Sequence, residues 1–169
     1  MPLSITPRRV FRRFTEVTPA LLEEMGIRLL LCDLDNTLAP PKTRHPTEEV
    51  REWIAGLQAA GVGFAIVSNN RSSDRVEAYC RELGVPYFGH AGKPKPGGFR
   101  RAMALFGETP AHTAMLGDLW TTDFLGANLA GLTALAVEPV EGAPNAGHWI
   151  LYQLHRPWMA AARRRQRHE

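Results

Sequence analysis

The feature that most constrains the fold is a regular alternation of continuous apolar runs with amphipathic segments. Runs such as LLLCD (Leu29–Asp33) and GFAIV (Gly63–Val67) are typical of strands that are buried on both faces of a sheet. Between them, Thr47–Ala60 has the pattern of a helix that Thr47 can cap and Gly61 ends. Alternating strands and helices predict an α/β fold with a parallel sheet and helices on both of its faces.

The same alternation continues to residue 137. The other predicted strands are Val85–Phe88, Thr113–Leu116 and Leu132–Val137, and the other predicted helices are Ser72–Leu83, Gly97–Phe106 and Thr122–Ala130. The expected sheet therefore has five strands. The chain of 169 residues, of which 44% are apolar, is predicted to be one domain with a real core.

Several features predict a cytoplasmic protein without an integral membrane segment. No apolar run approaches the roughly 20 residues of a membrane span. The segment MPLSITPRRVFRRF has no apolar core and no small-residue cleavage site of a secretory signal. Cys32 and Cys80 are predicted to be reduced, structural cysteines.

The charge is distributed unevenly along the chain. Residues 1–20 carry a net charge of +3 and residues 155–169 carry +4, which leaves −4 for residues 21–154. These ends are predicted to be basic extensions of the domain. An acidic body argues against nucleic acid as the partner of the whole domain, while basic ends suit contact with an anionic surface.

Both ends also contain apolar side chains with more than one interpretation. Val10, Phe11, Phe14 and Val17 fall on one face of a helix, which fits either a basic amphipathic helix on a membrane or residues that cover the sheet; we favour the second. The C-terminal aromatic residues Trp149, Tyr152 and Trp158 are expected to pack against the body or another chain; exposed, they would suit a lipid interface.

Polar clusters follow three of the predicted strands. The cluster DLDNT begins at Asp33, SNN covers residues 68–70, and GDLWTTD ends at Asp123; Lys93 and Lys95 lie in a nearby loop. In open α/β sheets, ligands bind in the crevice beyond the carboxyl ends of the strands. These clusters are therefore expected to converge at one site.

The converging groups favour a hard cation and a phosphate group. Four carboxylates (Asp33, Asp35, Asp118 and Asp123) would repel one another unless a cation lies among them. Oxygen ligands without nearby His or Cys favour Mg²⁺ over zinc, and Mg²⁺ also takes phosphate oxygens. The sequence therefore predicts a Mg²⁺-dependent enzyme that acts on a phosphorylated substrate.

Each acid has a predicted role in phosphate ester hydrolysis. Asp33 attacks phosphorus to form an aspartyl-phosphate, and Asp35 protonates the leaving oxygen and then activates water. Asp118 binds the metal, helped by Asp33 and by the backbone carbonyl of Asp35. Asp123 supports the water shell of the metal or orients the lysine. The predicted ligands of the phosphate oxygens are Ser68, Asn69 and a lysine.

The ordered set DLDNTL, SNN, KPKP and GDLWTTD resembles the four motifs of the haloacid dehalogenase (HAD) superfamily of phosphatases. More narrowly, GIRLLLCDLDNTLAP, AGKPKPGGFRRA and GDLWTTDFLGANLAG are similar to the YqeG-type subfamily III, which is related to phosphatases acting on phosphatidylglycerophosphate. The resemblance implies a Rossmann-like sheet, Mg²⁺ and an aspartyl-phosphate. It assigns the motif lysine to Lys93, with Lys95 as the alternative.

The spacing of the motifs leaves no room for a large cap domain. Asp35 and Ser68 are 33 residues apart, Ser68 and Lys93 are 25 apart, and the predicted helices and strands fill both intervals. The loop at residues 39–46 is at most a small flap. An uncapped site suits a group on a large object, such as a lipid head group on a membrane, a phosphoprotein or a nucleic-acid end.

Two other classes of function compete with the phosphatase. A receiver-like phospho-acceptor module would carry its acceptor after a central strand, whereas here the DxD pair of Asp33 and Asp35 includes the acid/base group that hydrolysis needs. A ribosome- or RNA-associated factor could use the body as a scaffold. The intact acids argue against lost activity but leave such a second role open.

Overall fold

The computed structural model describes residues 5–69 and 73–169. The strands are β1 (Arg9–Phe11), β2 (Leu29–Cys32), β3 (Gly63–Val67), β4 (Tyr87–Phe88), β5 (Thr113–Gly117) and β6 (Thr133–Val137). The helices are α1 (Pro19–Glu24), α2 (Glu48–Ala59), α3 (Ser73–Leu83), α4 (Gly97–Phe106), α5 (Leu125–Ala130) and α6 (Ala146–Gln166). Short 3₁₀ turns cover Phe14–Glu16 and Pro110–His112, and a π-helical turn covers Trp120–Phe124.

The strands form one parallel sheet of order β1-β6-β5-β2-β3-β4. The alternation of side chains along β2 explains why this strand is apolar throughout. Leu30 and Cys32 belong to a core on one face of the sheet, whereas Leu29 and Leu31 belong to a second core on the other face. The predicted α/β architecture with a parallel sheet is thus confirmed.

The sheet has six strands rather than the predicted five, because the N-terminal segment adds β1 beside β6. The helical interpretation of this segment is wrong. Val10 and Phe11 are consecutive, yet they are buried in opposite cores, as side chains of a strand are. Phe14 and Val17 are also buried, which confirms that these apolar residues cover the body of the protein.

The long helix α6 is an element that the sequence analysis did not predict. Asn145 caps it, with its Oδ1 accepting a hydrogen bond from the backbone N–H of His148 at 2.9 Å. Pro157 lies inside the helix and interrupts the usual helix pattern. The buried residues of α6 recur at helical spacing; they are Tyr152, His155, Met159 and Ala162. Residues 155–166 of the predicted basic extension therefore belong to this helix.

The two basic ends meet each other. Arg9 forms an ion pair with Glu169 at 3.2 Å, and Gln166 accepts a hydrogen bond from the backbone of Val10. Arg163 pairs with Glu138, which follows β6. These contacts fix α6 against the β1 edge of the sheet and bring Tyr152, in its first half, towards the ends of the strands.

The described residues contain no cap domain. The interval from Asp35 to Ser68 holds a loop, α2 and β3, and the part of the next interval that the structure describes holds α3 and β4. No helix among the described residues is long and apolar enough to cross a membrane.

Candidate active site

The candidate site lies at the carboxyl end of β2, where the order of the strands reverses. Strand β2 lies between β3 and β5, and Cys32 is in register with Ile66 on one side and Leu116 on the other. The loops after these strands therefore leave the sheet side by side, as expected from the sequence. They carry the predicted residues Asp33, Ser68 and Asp118.

Three carboxylates gather at this point and form what we call the acid cluster. One carboxylate oxygen from each of Asp33, Asp118 and Asp123 lies within 4.8 Å of the other two. Asp118 and Asp123 are buried, and the side chain of Asp33 is 17% exposed. Asp33 is thus the member of the cluster that solvent or a substrate can reach.

Lys93 lies inside the acid cluster. Its Nζ donates to Asp123 Oδ1 at 2.6 Å and to Asp33 Oδ1 at 3.2 Å, and its side chain is 2% exposed. Lys95, the alternative motif lysine, is exposed. The geometry therefore favours Lys93 as the lysine of the site.

Asn69 holds the backbone of Lys93 in place. Asn69 Oδ1 accepts from the N–H of Lys93 at 2.8 Å, and Asn69 Nδ2 donates to the carbonyl of Lys93 at 2.9 Å. This pair of bonds gives Asn69 a contact other than the predicted one with phosphate oxygens, and that role stays a prediction. Ser68 is buried at the end of β3, and Asn70 of the SNN motif lies outside the described residues.

Asp123 reaches the cluster because of a glycine and a local helical turn. The π-helical turn brings the side chain of Asp123 close to Leu119, the residue before the turn. There Asp123 Oδ2 accepts a hydrogen bond from the N–H of Leu119 at 3.1 Å. A Cβ at Gly117 would lie 2.3 Å from Asp123 Cγ, so this position needs glycine. Of the two roles predicted for Asp123, contact with the lysine is the one that this geometry supports.

The electrostatics of the cluster show an excess of negative charge. Burial and the charge of Asp123 raise the pKa of Asp33 to about 7, although Lys93 opposes the shift. Burial together with Asp123 and Asp33 raises the pKa of Asp118 to about 8. Burial alone would lower the pKa of Lys93, but Asp123 and Asp33 outweigh it and the pKa is raised. One lysine does not neutralise three carboxylates, of which two are buried and one is partly exposed.

Two hydroxyl groups orient Asp118. Thr37 Oγ1 donates to Asp118 Oδ1 at 3.3 Å, and the Tyr152 hydroxyl donates to Asp118 Oδ2 at 2.5 Å. Asn36 Nδ2 donates in turn to the Tyr152 oxygen at 3.4 Å, and Asn36 Oδ1 accepts from the N–H of Glu141. Asp118 is therefore fixed from two sides by residues that do not belong to the acid cluster.

Asp35 lies apart from the acid cluster and has its own cation. Arg75 Nη2 donates to both carboxylate oxygens of Asp35, at 2.8 and 2.7 Å. Arg75 Nη1 donates to the carbonyl of Thr43 at 2.7 Å, so the same guanidinium holds the loop after β2. Asp35 was predicted to bind the metal through its backbone carbonyl. Its carboxylate therefore remains available for the predicted proton transfers.

The acid cluster suits a divalent cation. Its donors are all carboxylate oxygens, which hard ions such as Mg²⁺ prefer. Burial first, and then the neighbouring carboxylates, raise the pKa values of Asp33 and Asp118, and a cation among these oxygens would favour their charged forms. A crevice of about 240 Å³ beside the cluster is lined by residues that include Asp33, Asp35, Asp118, His148 and Tyr152. A small anionic group fits in such a space.

Sequence reasoning missed Arg75 and Tyr152. Arg75 lies in the first turn of α3, where a cation opposes the helix dipole, and this unusual placement is the one signal that marked it. Tyr152 comes from α6, which was not predicted. From the sequence, Tyr152 was expected only to pack against the body or another chain. No local pattern joins Tyr152 to a loop that is 34 residues away.

Comparisons with known proteins show which family the chain is similar to. A model of the haloacid dehalogenase-like hydrolase family matches residues 14–131. The chain is 29% identical to the probable phosphatase YqeG of Bacillus subtilis (strain 168) over 159 residues, which cover 94% of this chain and 92% of that protein. This match confirms the predicted resemblance to YqeG-type proteins.

A second relative is longer. The chloroplastic phosphatidylglycerophosphate phosphatase 1 of Chlamydomonas reinhardtii is 29% identical over 127 residues, which cover 70% of this chain and 47% of that protein. The chain therefore matches about half the length of this relative. Both relatives bear the name of a phosphatase, in agreement with the predicted enzyme class.

Solved structures show the same fold. The cobalt-bound deoxy-D-mannose-octulosonate 8-phosphate phosphatase of Haemophilus influenzae superposes with a TM-score of 0.53 at 16% identity, covering 82% of this chain and 92% of that one. A protein from Listeria monocytogenes serotype 4b superposes with a TM-score of 0.56, also at 16% identity, and covers 70% and 85%. At these identities the likeness is one of fold.

Proposed function

Because the chain belongs to the haloacid dehalogenase-like hydrolase family, we propose that it is a Mg²⁺-dependent phosphomonoester hydrolase that works through an aspartyl-phosphate. The observation that carries this proposal is the acid cluster around Lys93 at the switch point of the sheet. Asp33 is its partly exposed member, and a carboxylate in that position can reach a phosphorus atom in the crevice.

The residues present fit a divalent cation. Asp33 and Asp118 would supply carboxylate oxygens, with Asp123 beside them bound to Lys93, and the hydroxyl groups of Thr37 and Tyr152 hold Asp118 for this purpose. The predicted backbone carbonyl of Asp35 can complete the set. When bound, Mg²⁺ supplies positive charge that offsets the repulsion between the carboxylates and the phosphate group.

The residues of the chain then divide the first chemical step between them. A carboxylate oxygen of Asp33 forms a bond to phosphorus while the bond from phosphorus to the ester oxygen breaks. Asp35 gives its proton to the leaving oxygen, so the product leaves as an alcohol. Lys93 lies 3.2 Å from Asp33 and stabilises the negative charge at the reacting carboxylate.

The second step regenerates the enzyme. Asp35, now a carboxylate, takes a proton from water as the water oxygen bonds to phosphorus. The bond between phosphorus and Asp33 breaks, and inorganic phosphate is released. Arg75 fixes Asp35 through two hydrogen bonds, so the same carboxyl group serves both proton transfers from one position.

Three observations support a large substrate, and we propose the head group of phosphatidylglycerophosphate. The described residues place no cap over the crevice. Helix α6, which supplies His148 and Tyr152 to the crevice, also exposes the apolar side chains of Trp149, Ile150 and Leu154. One relative is named for the hydrolysis of this lipid. In this proposal the protein acts at the surface of a membrane.

The test is an assay of phosphate release by the purified protein, with and without Mg²⁺. The substrates are phosphatidylglycerophosphate in mixed micelles, p-nitrophenyl phosphate, a phosphopeptide and a 3′-phosphorylated oligonucleotide. Asp33→Asn is the matched control, since it keeps the shape of the side chain and removes the nucleophile. We expect release that depends on Mg²⁺ and on Asp33, with the lipid preferred and a drop of at least roughly 10³-fold in the variant.

The arms of the assay separate the chemistry from the substrate. Activity of wild type on p-nitrophenyl phosphate alone supports the phosphatase and contradicts the lipid. A preference for the phosphopeptide or the oligonucleotide assigns the open site to that class of substrate. Release that is equal in wild type and Asp33→Asn on every substrate contradicts the proposed function.

A further inference from the structure

A second cleft, of about 880 Å³, adjoins the crevice of the acid cluster. Asp35 and Pro41 line both spaces, whereas Asp33 and Asp118 line the crevice and not this cleft. Asp35 therefore stands between the place where phosphorus would react and a larger space beside it. We call this space the cationic cleft, and its lining includes Lys42, Arg44 and Arg75.

Among the described residues, the lining of the cationic cleft carries three permanent cations against two carboxylates, which are Asp35 and Asp74. His45 also lines this space. Arg75 is committed to Asp35, as described above, and His45 contacts Glu82 at 2.5 Å.

Two cations of this lining have no anionic partner in the part of the chain that the structure describes. The side chains of Lys42 and Arg44 are exposed, and neither forms a hydrogen bond or an ion pair with a residue among 5–69 and 73–169. They are free to bind an anion from solution.

The loop that carries these cations has a defined conformation. Thr43 Oγ1 donates to the carbonyl of Pro40 at 2.6 Å, and Arg75 binds the carbonyl of Thr43. Lys42 lies between Pro40 and Thr43 in the chain, and its φ of 67° is in the left-handed region that a lysine rarely adopts. Arg75 thus fixes both Asp35 and the backbone next to Lys42 and Arg44.

We propose that the cationic cleft binds a second anionic group, carried by the leaving alcohol of the phosphomonoester, and that Lys42 and Arg44 are its ligands. The inference rests on the proposed function, because it takes Asp35 as the group that protonates the leaving oxygen. Whatever is attached to that oxygen lies beside Asp35, and Asp35 lines this cleft. A second phosphate there would be repelled by the carboxylates of the site, and the two cations offset that repulsion.

The chemical class is a phosphomonoester whose leaving alcohol carries another phosphate a few bonds away. Two sources share this chemistry. One is a lipid head group in which a phosphodiester joins the alcohol to diacylglycerol, and the other is a soluble polyol bisphosphate. A lone phosphomonoester of an uncharged alcohol lacks the group that the cleft would bind.

The experiment compares kcat and KM on matched substrate pairs. The soluble pair is glycerol bisphosphate and glycerol phosphate. The lipid pair is short-chain phosphatidylglycerophosphate and phosphatidic acid with the same acyl chains, in identical micelles. In each pair the second member lacks the second phosphate on its leaving group, and p-nitrophenyl phosphate is the reference substrate.

The variants are Lys42→Ala, Arg44→Ala and the double variant, with Arg101→Ala as the control. Arg101 is an exposed cation on α4 that does not line the cleft. Each single variant is expected to raise KM about fivefold for the member with two phosphates in at least one pair, and the double variant to raise it further. The kcat/KM on p-nitrophenyl phosphate stays unchanged, which also shows that the variants fold.

The outcomes decide the proposal and its source separately. A raised KM for the member with two phosphates in the lipid pair alone assigns the second anion to a lipid head group. A raised KM for that member in the soluble pair assigns the second anion to a soluble bisphosphate. If the variants lose equal kcat/KM on both members of each pair, or lose none on any substrate, the proposal that the cationic cleft binds a second anion is wrong. Failure of the proposed function itself is distinct, because it would appear as no Asp33-dependent hydrolysis of p-nitrophenyl phosphate.

Discussion

The two sides of the loop that begins at Asp33 differ in burial, charge and hydrogen bonding. On one side, Asp118, Asp123 and Lys93 are buried, and each makes hydrogen bonds to groups of the core or the site. On the other side, Lys42 and Arg44 are exposed on a loop beside Asp35. Only one residue, Leu34, separates Asp33 from Asp35, yet the first belongs to the acid cluster and the second to the cationic cleft.

Two adjoining spaces can therefore combine fixed chemistry, in the crevice of the acid cluster, with substrate specificity, in the cationic cleft. Groups that stabilise charge work best when the fold holds them rigidly away from water. Groups that select a substrate can lie on a surface loop without disturbing that arrangement. Changes on the buried side are therefore expected to alter folding and all activity, and changes on the open side to alter activity on particular substrates.

The largest effect on stability is expected from Lys93→Met. This change removes the cation from the buried carboxylates and leaves Asp33 and Asp123 without their partner. Breaking a buried ion pair from one side typically costs about 3–5 kcal/mol. Chemical denaturation without metal should show a loss of about 3 kcal/mol in the free energy of unfolding, with part of it recovered in Mg²⁺.

Lys95→Met is the matched control, because Lys95 is exposed two residues away. It should change the free energy of unfolding by less than about 0.5 kcal/mol. A similar small change in Lys93→Met would contradict the description of the buried side.

A smaller effect, on metal affinity, is expected from Tyr152→Phe. The change removes the hydroxyl that donates to Asp118 Oδ2 and keeps the buried aromatic ring of this α6 residue. Partners of metal ligands typically contribute 10- to 100-fold in affinity or activity, so the Mg²⁺ concentration for half-maximal activity should rise by about tenfold.

Tyr87→Phe is the control for this prediction. The Tyr87 hydroxyl is buried without a hydrogen-bond partner among the described residues, so its loss removes no such contact. If Tyr152→Phe and Tyr87→Phe need the same Mg²⁺ concentration as wild type, then Tyr152 does not orient a metal ligand.

The smallest effect is a dependence of stability on pH in protein stripped of metal. The pKa values of Asp33 and Asp118 are raised in the folded state to about 7 and about 8 from an unfolded value of 3.8. The folded state therefore binds more protons than the unfolded state between these values, and stability is lost as pH rises through the folded pKa. Buried His155, whose pKa is lowered to about 4 from 6.5, acts in the opposite direction below pH 6.5.

The informative window thus lies between pH 6.5 and about pH 8. Thermal unfolding in a chelator should show a melting temperature that falls across this window, and Mg²⁺ should raise it more at the upper end than at the lower. A melting temperature that rises with pH in the chelator would show that the acid cluster does not hold protons as described.

The sequence predicted the part of the fold that depends on local pattern. The strands β2, β3, β5 and β6 and the helices α2 and α4 follow from apolar runs and end signals, and their bounds differ from the prediction by at most one residue. Strand β1 was missed because its short apolar stretch also fits one face of a helix. Helix α6 was missed because Pro157 and the basic C-terminal residues interrupt the helical spacing of its apolar residues in the sequence.

The site could be predicted to the same extent and for the same reason. Asp33, Asp118 and Asp123 belong to clusters that follow predicted strand ends, and Lys93 lies in a nearby predicted loop, so the topology brings them together. Arg75 and Tyr152 depend on how helices pack, which no local motif records. The division between acid cluster and cationic cleft likewise needs coordinates, because Asp33 and Asp35 belong to one motif in the sequence.

The proposed mechanism requires that Asp33 becomes phosphorylated and that Asp35 governs release of the phosphate. The most direct measurement is intact-protein and peptide mass spectrometry of Asp35→Asn after brief exposure to p-nitrophenyl phosphate and Mg²⁺, followed by an acid quench. We expect one added phosphoryl group that is located on Asp33, is sensitive to hydroxylamine and is missing when Mg²⁺ is left out. Turnover at the wild-type rate by Asp35→Asn, or a phosphoryl group on another residue, would contradict this mechanism.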